Sequence, residues 1–341
     1  MTTTRTDIGI RAYRTDDRAA VLQLLTDTMA GGPTGERTAG FFAWKHEHNP
    51  FGPSLALVAE ADDRIVGFRT FMRWRFVRHG HAVHAVRAVD TATHPDHQGR
   101  GIFTRLTLAA LEAAADSDID LVFNTPNSRS LPGYRKMGWS PVGTVPIAIR
   151  VARPVAFARG LRHRTDAARV APLPPIDLPP LAAVLDDRAD VEALLDAADQ
   201  PSDRLRTDRD ADYLHWRYAQ VPGLDYRALV HRVDGRLRGL AIGRPRWRGR
   251  LVELTLSEVI VPSGDRATAR RLLSTVAACG VDHVATYLAG WPTAERVRRR
   301  AGYVNMPGQT MTLVARSVDP DVGVQTSLDD WALSLGDLEV F

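Results

Sequence analysis

In the first half of the chain, apolar residues are spaced as in strands in some segments and as in helices in others. Short apolar runs with a period of two predict strands, and apolar residues three and four apart predict helices. Asp16 and Asp17 suit a helix N-terminus, and Asp62 and Asp63 suit a turn between two strands. The order of elements predicts a mixed α/β domain over residues 1–152. The predicted strands cover 8–13, 54–61, 64–77, 84–93, 119–126 and 145–152, and the main helices cover 16–30 and 102–115.

A stretch of the second half of the chain resembles a stretch of the first half, with matching residues always the same distance apart in sequence. This separation, the one between Trp44 and Trp216, is called the repeat offset. Gly67 matches Gly239 in the same register, which is ungapped over 24 positions. Such a register indicates a duplicated domain, with the second copy over 183–318. Because the two tryptophans hold equivalent positions, we expect them to belong to the scaffold rather than to a substrate site. The second copy lacks a glycine-rich turn that the first copy contains.

Two segments lie outside the repeated units. Residues 153–182 are rich in proline, arginine and alanine, which predicts a linker or surface strap without helix or central strand. Residues 319–341 carry too much apolar surface to extend freely into solvent, so we expect this tail to pack back on the body. Its acids either face a cationic substrate or belong to a purely structural tail. The apolar residues are Trp331, Leu333, Leu335, Leu338, Val340 and Phe341, and the acids are Asp329, Asp330, Asp337 and Glu339.

Composition and charge narrow the class of protein. An apolar fraction of 44% suffices for two cores, and no apolar run approaches the ~20 residues that cross a bilayer. The N-terminal stretch lacks the apolar segment of a signal peptide, and Cys279 is the single cysteine, so a cytoplasmic protein is expected. The net charge is +4, and arginines are dispersed among nearly as many acids, so neither a nucleic-acid nor a membrane partner is expected.

The turn from His94 to Gly101 is the strongest functional signal in the sequence. It follows a predicted strand and opens a predicted helix, whose first N–H groups have no intrahelical acceptor. Gly99 and Gly101 let an anion approach the backbone, and Arg100 adds a positive charge, so a phosphate or diphosphate is the expected occupant. No Gly-Lys-Ser/Thr sequence closes the turn, and Thr104 stands where a dinucleotide fingerprint has its third glycine. A tight strand-to-helix turn without a ligand is the alternative.

The sequence THPDHQGRGIF resembles the acyl-CoA signature of the GCN5-related N-acetyltransferases (GNAT), Gln/Arg-x-x-Gly-x-Gly/Ala. Gln98, Gly101 and Phe103 fill the three positions, and Phe103 departs from the small residue of the family. The sequence NSRSLPGYRKMGW resembles the second signature, in which an asparagine begins a helix and a tyrosine precedes Gly-Phe/Trp. Asn127 and Tyr134 match these positions. The resemblance implies two tandem GNAT-like domains, each a twisted mixed sheet flanked by helices, the second without the coenzyme A loop.

The resemblance also implies roles for individual residues. Tyr134 would act as the general acid toward the coenzyme sulfur, and a backbone N–H near Ala92 would polarise the acetyl carbonyl. Asp90 is the first candidate for the general base, and His84, Glu60 or a chain of water molecules are the alternatives. The residues implied in binding the donor are Thr91, Ala92, Thr93, Gln98, Gly99, Arg100, Gly101, Ile102, Phe103 and Asn127.

These features together predict an acetyl-CoA-dependent N-acetyltransferase acting on a primary amine of a small molecule. An amino sugar or an aminoglycoside-like amine fits the acidic tail, and a monomer or homodimer is expected. His46 and His48 flank Glu47, but their spacing and the lack of a further cluster argue against a metal site. Two alternatives stay open: a non-catalytic acyl-CoA-binding sensor, and an aminoacyl transferase of the tandem peptidoglycan-bridge type, whose donor would be a charged tRNA.

Overall fold

The structure of the protein is a computed structural model that describes residues 8–28, 38–162, 172–319 and 323–339. Some predictions lie outside these residues: those for residues 1–7, for residues 163–171 of the proline-rich linker, and for Val340 and Phe341. Among the described residues, no helix is both long enough and apolar enough to cross a membrane. The same residues contain no group of three or more His, Cys, Asp or Glu side chains placed to hold a metal ion.

The first half forms the strands and the two main helices that its hydrophobic pattern predicts, together with two short helices that the pattern does not predict. Asp62 and Asp63 adopt the left-handed backbone of a tight turn, with φ of 50° and 58°. The strands are β1 (Gly9–Ala12), β2 (Leu55–Ala61), β3 (Arg64–Arg78), β4 (His81–Thr93), β5 (Leu121–Asn124) and β6 (Ser140–Val151). The helices are α1 (Arg18–Thr28), α2 (Ala39–His46), α3 (Ile102–Ala115) and α4 (Leu131–Lys136).

The segment predicted to lack helix contains one. Helix α5 spans Pro154–Arg162, at the beginning of the proline-rich stretch. The prediction was wrong here because proline is tolerated in the first turn of a helix, where its missing N–H has no intrahelical acceptor. The ring of Phe157 packs 5.2 Å from the ring of His283 in the second half, so this helix is part of the folded body.

From residue 227 onward, the second half repeats the order of elements that the first half has from residue 55 onward. The strand at 227–233 matches β2 at the repeat offset. The strands are β7 (Leu205–Thr207), β8 (Arg227–Val233), β9 (Arg236–Arg248), β10 (Leu251–Ile260), β11 (His283–Thr286) and β12 (Val304–Ser317). The helices are α6 (Ala182–Leu185), α7 (Arg188–Ala197), α8 (Ala211–Leu214), α9 (Arg266–Val276) and α10 (Pro292–Arg298).

One continuous sheet runs through both halves, in the order β1-β2-β3-β4-β5-β12-β6-β11-β10-β9-β8. The final strands of the halves are exchanged: β12 pairs with β5, where Val314 lies opposite Asn124, and β6 pairs with β11, where Ile149 lies opposite Ala285. The mixed α/β class and the two similar halves are confirmed. The expectation of one sheet per half is corrected, because each half contributes its last strand to the other's sheet.

Equivalent glycines bring a helix close to the sheet in both halves. A Cβ at Gly67 would lie 2.7 Å from Cγ2 of Ile102, and a Cβ at Gly239 would lie 2.6 Å from Cγ2 of Thr268. Any larger residue would therefore push α3 or α9 away from its sheet. This shared packing explains why the pair Gly67 and Gly239 stands out in the sequence repeat.

The C-terminal tail packs into the body, as predicted. Its strand β13 (Trp331–Ala332) pairs with β7, which in turn pairs with β3 of the first half. Its helix α11 (Leu335–Leu338) is buried throughout. The carboxylate of Asp337 is bound by the guanidinium of Arg209, and Oε1 of Glu339 accepts a hydrogen bond from Nη2 of Arg244 at 2.5 Å. These two tail acids are therefore paired with arginines inside the protein.

Candidate active site

Strands β4 and β5 pair over a short stretch and then separate. The parallel pairing ends where Arg87 lies opposite Phe123. Beyond this point, the edge of β4 from residue 88 to residue 93 has no partner among the described strands on the side of β5, and we call it the free edge. Asp90 lies in a bulge of this segment with a φ of 40°, a left-handed value that is uncommon for a residue with a side chain. The unpaired backbone groups of the free edge can bind an extended ligand.

The glycine turn leaves N–H groups open at the entrance of α3. Gly99 and Gly101 have φ values of 75° and 74°, and a Cβ on either would meet nothing within 4 Å. Gly101 is the N-cap and has no side chain to accept a hydrogen bond, so no cap side chain satisfies the first N–H groups of α3, from Ile102 to Thr104. Nε2 of Gln98 donates to the carbonyl of Thr93 at 3.2 Å and holds the turn against β4. These residues fit a diphosphate group.

The matching helix of the second half is capped by the protein itself. Asp265 is the N-cap of α9, and its Oδ1 accepts a hydrogen bond from the backbone N–H of Thr268 at 3.0 Å. A carboxylate therefore lies where the first half has bare N–H groups, and it satisfies both the donors and the helix dipole. A capping side chain thus stands in the second half where the first half has the glycine turn.

Tyr134 of α4 lies beside the end of β4 and is 5% exposed. Its hydroxyl oxygen accepts a hydrogen bond from Nη1 of Arg69 on β3 at 2.8 Å. The same Nη1 donates to Oγ1 of Thr91, so these three residues connect α4 to the free edge. The ring of Tyr134 packs edge-on against Phe103, with centroids 5.6 Å apart. Because the phenol oxygen is the acceptor in this network, its own proton is available to another partner.

Asp90 is held in a buried ionic cluster. Its carboxylate is 2.7 Å from Nζ of Lys45 and 2.9 Å from Nε2 of His46, and the three side chains are 3–4% exposed. Nδ1 of His46 lies 2.9 Å from the hydroxyl of Ser54. Burial lowers the pKa of His46, an effect that Asp90 partly opposes. The carboxylate therefore anchors the bulge of β4 to two side chains of α2, and the role of Asp90 as general base stays a prediction.

The other candidates for a general base lie in surface ion pairs away from the free edge. Nδ1 of His84, near the start of β4, lies 2.9 Å from Oδ2 of Asp118, and Glu60 of β2 lies 2.5 Å from Nη2 of Arg11. Asn127 accepts backbone hydrogen bonds within the turn before α4, so it positions that helix. The predicted donor-binding residues that follow one another along the end of β4, the turn and the start of α3 are Thr91, Ala92, Thr93, Gln98, Gly99, Arg100, Gly101, Ile102 and Phe103.

A cavity of about 700 Å³ extends from the end of β5 across the central strands. Thr125 and Glu339 of the tail line it near the separated strands. On another wall, Glu253 lies 3.0 Å from Nε2 of His283 and 2.8 Å from Nη2 of Arg246. Burial raises the pKa of Glu253, but these partners outweigh it and hold the pKa well below the ordinary value. The volume is typical of sites for small molecules.

The sequence of the first half matches a known family. Residues 9–142 match the model described as an acetyltransferase (GNAT) domain, and this segment contains the glycine turn, the free edge and Tyr134. Residues 9–142 therefore form a GNAT acetyltransferase domain, and the protein is an acyltransferase. The comparison with curated protein sequences finds no match.

Solved structures with the same fold cover nearly the whole chain. A GCN5-related N-acetyltransferase from Anabaena variabilis is 12% identical, with a TM-score of 0.62 over 92% of this chain and 73% of that one. Eis1 from Mycobacterium abscessus is 16% identical, with a TM-score of 0.56 over 92% and 74%. The N-myristoyltransferase of Saccharomyces cerevisiae with bound myristoyl-CoA is 11% identical, with a TM-score of 0.58 over 98% and 90%. These likenesses concern the fold.

Arg69 contacts Tyr134 but is not among the residues predicted from the sequence. Arg69, Arg73 and Arg75 alternate along β3 as solvent-facing residues do, yet Arg69 is 0% exposed. One signal was available, because Phe103 departs from the small residue of the family signature. Its ring centre lies 5.7 Å from the guanidinium of Arg69, so the unusual residue indicates an unusual neighbour.

Proposed function

We propose that the protein is an acetyl-CoA-dependent N-acetyltransferase that transfers its acetyl group directly to a primary amine of a small molecule. The observation that carries this proposal is the free edge of β4, which joins an anion-binding turn at Gly101 to the phenol of Tyr134. A diphosphate on the turn would direct the attached arm along the free edge, where backbone groups can pair with it. The proposed donor contacts run from Thr91 to Phe103.

Direct transfer requires two proton movements. A primary amine, with a pKa near ~10, must lose a proton before it attacks, and a thiolate, with a pKa of ~8.5, gains one as it leaves. In the proposed mechanism, Tyr134 donates a proton to the sulfur and a backbone N–H near Ala92 polarises the carbonyl. The proton of the amine passes to water in the cavity. The products are an amide and a free thiol.

The acceptor is proposed to be a small molecule because a cavity of about 700 Å³ begins at Thr125, one residue beyond the end of β5. The idea of an aminoglycoside-like polycation rests on the acids of the tail. Asp337 and Glu339 are paired with Arg209 and Arg244, so they lend no support to a polycation. We propose an amino sugar with few charges as the acceptor. We also propose that the protein is cytoplasmic and is a monomer or homodimer.

Thiol release tests the proposal directly. The protein is mixed with acetyl-CoA and a panel of amino sugars, polyamines and amino acids, and free coenzyme A thiol is followed over time. We expect release with at least one amine, and a decrease in kcat on the order of 10²-fold in Tyr134→Phe with coenzyme A binding retained. Silence across the whole panel would contradict the small-amine proposal.

Two other functions are compatible with this fold and make different predictions. An acyl-CoA sensor would bind the coenzyme without turnover, so Tyr134→Phe would have no activity to remove. An aminoacyl transferase would use a charged tRNA and would have no need for the open turn at Gly101. Coenzyme A retained through purification would favour the acetyltransferase over the tRNA-dependent enzyme.

A further inference from the structure

Arg69 is a charged side chain that is fully buried and forms no ion pair with the described residues. It is 0% exposed, and the rings of Phe71, Phe103 and Tyr134 surround its guanidinium at 5.0, 5.7 and 5.4 Å. Its hydrogen-bond partners are the hydroxyls of Tyr134 and Thr91, both bound through Nη1. Nε and Nη2 are buried and have no hydrogen-bond partner among the described residues.

This arrangement is unfavourable for the stability of the fold. A buried cation loses its hydration, and each unpaired donor adds a desolvation penalty. Contacts with ring faces recover part of that loss. Arg209 is buried to the same degree, with a side chain 1% exposed, but it is paired with the carboxylate of Asp337. The ion pair with Asp337 therefore explains why a buried arginine is tolerated at position 209, and Arg69 has no such explanation among the described residues.

We propose that Arg69 is a positioning residue for proton transfer and acts through Tyr134. This inference rests on the proposed acetyltransferase function. By donating to the phenol oxygen at 2.8 Å, Arg69 occupies a lone pair of that oxygen and leaves the O–H proton directed elsewhere. Its charge also stabilises the phenolate that exists once the proton has left, since hydrogen bonds to charged groups are the stronger ones.

The step balances without a further reactant. When the amine has added to the thioester carbonyl, the C–S bond breaks, its electron pair goes to sulfur, and sulfur takes the proton of Tyr134. After addition the nitrogen loses a second proton to water, and the phenolate beside Arg69 takes a proton from that water. Of the two protons that the ammonium loses in all, the one lost before attack stays in solvent and the other has in effect moved to the sulfur, so the enzyme is unchanged.

The two halves of the chain differ at both of these positions. At the repeat offset, Ala241 stands where Arg69 stands in the first half. Gly138, just after α4, corresponds to Gly302, just after α10, and at the separation of these two glycines Arg298 stands in place of Tyr134. The copy whose helix is capped by Asp265 therefore lacks the arginine and the tyrosine together, as expected if the two residues act as a unit.

Phe103 and Gly133 complete the surroundings of this unit. A Cβ at Gly133 would lie 3.0 Å from Cε1 of Phe103, so the glycine leaves room for the ring. The ring then contacts Tyr134 edge-on and lies against the guanidinium of Arg69. A small residue at position 103, as in the family signature, would remove this wall.

The test compares Arg69→Met, Arg69→Lys, Tyr134→Phe and the double variant Arg69→Met/Tyr134→Phe. We expect Arg69→Met to lower kcat on the order of 10²-fold, with the KM for acetyl-CoA within about twofold of the wild type, and Arg69→Lys to restore part of the loss. The double variant should be no slower than Tyr134→Phe alone, because both changes remove the same step.

Thermal unfolding separates this role from a structural one. Arg69→Met should keep or raise the melting temperature, since it removes unpaired buried donors, whereas the matched variant Arg209→Met should lower it by leaving Asp337 buried and unpaired. A melting temperature and a kcat that fall together in Arg69→Met, or losses that add in the double variant, would overturn the inference. Full activity in Arg69→Met would overturn the role of Arg69 and leave the proposed function intact. A wild-type protein that releases no thiol would overturn both.

Discussion

Trp44 and Trp216, which hold matching positions in the sequence repeat, bind each other reciprocally across the centre of the molecule. Their rings stack with centroids 5.0 Å apart and an angle of 21° between their planes. Nε1 of Trp44 donates to the backbone carbonyl of Trp216 at 2.8 Å, and Nε1 of Trp216 donates to the carbonyl of Trp44 at 3.0 Å. In a two-fold interface, residue i contacts residue j and residue j contacts residue i. The sequence repeat is therefore also a local two-fold symmetry that joins the halves.

This reciprocity predicts the stability of tryptophan variants. Trp44→Phe removes one indole donor and leaves the carbonyl of Trp216 buried without its partner, so we expect a loss of about 1–3 kcal/mol in the free energy of unfolding. Trp44→Phe/Trp216→Phe should lose less than the sum of the single variants, because both changes disrupt one contact. Urea titrations measure these values.

Trp139→Phe is the matched control for this prediction. Nε1 of Trp139 is buried and has no hydrogen-bond partner among the described residues, so the substitution breaks no hydrogen bond there. It should therefore be less destabilising than Trp44→Phe. Equal losses in the two variants would mean that ring volume, rather than the reciprocal hydrogen bonds, dominates the contact between the halves.

A glycine substitution tests the donor-binding turn. Gly101→Val places a side chain at a φ of 74° and at the N-terminus of α3, so we expect coenzyme A to bind at least about tenfold more weakly. Gly264→Val is a matched control, since Gly264 has a φ of 75° in the corresponding turn of the second half. Both variants share the backbone strain, of order 1–2 kcal/mol, but the control should bind coenzyme A normally in titration calorimetry. Equal binding by both variants would refute the assignment of the turn.

The sequence predicted local features well and long-range pairing poorly. Helix α3 begins at Ile102 as predicted, because the glycine turn and the apolar spacing of the helix are encoded within a few residues of each other. The exchange of β6 and β12 was not predictable, since both are apolar final strands whose patterns suit either sheet. The burial of Arg69 was missed for a similar reason, because side-chain alternation along β3 does not show which face α4 covers.

The buried cluster around Asp90 predicts a stability defect rather than the loss of a base. Asp90→Asn removes the negative charge that the buried ammonium of Lys45 contacts at 2.7 Å, so we expect a loss of about 3–5 kcal/mol in the free energy of unfolding. Lys45→Met/Asp90→Leu should recover much of it, because no unpaired charge remains. Activity per folded molecule should fall by less than about tenfold in Asp90→Asn. A loss on the order of 10²-fold at full stability would instead support Asp90 as the general base.

His46 predicts a dependence of stability on pH. Burial lowers its pKa in the folded state, so below the ordinary value of 6.5 the unfolded chain binds a proton that the folded protein does not. The contribution of neutral His46 is therefore complete above pH 6.5 and is lost as the pH falls from there toward the lowered pKa, at up to about 1.4 kcal/mol per pH unit. Urea titrations between about pH 7 and pH 5 measure this slope.

His46→Gln should flatten that slope, whatever its effect on stability at neutral pH, because glutamine has no proton to bind. His81→Gln is the control, since His81 is exposed at the start of β4 and its substitution should leave the slope unchanged. The dependence of the free energy of unfolding on pH therefore shows whether His46 is neutral or protonated in the folded protein. If the wild type and His46→Gln lose stability equally on acidification, His46 is protonated in the folded protein and forms a charged pair with Asp90.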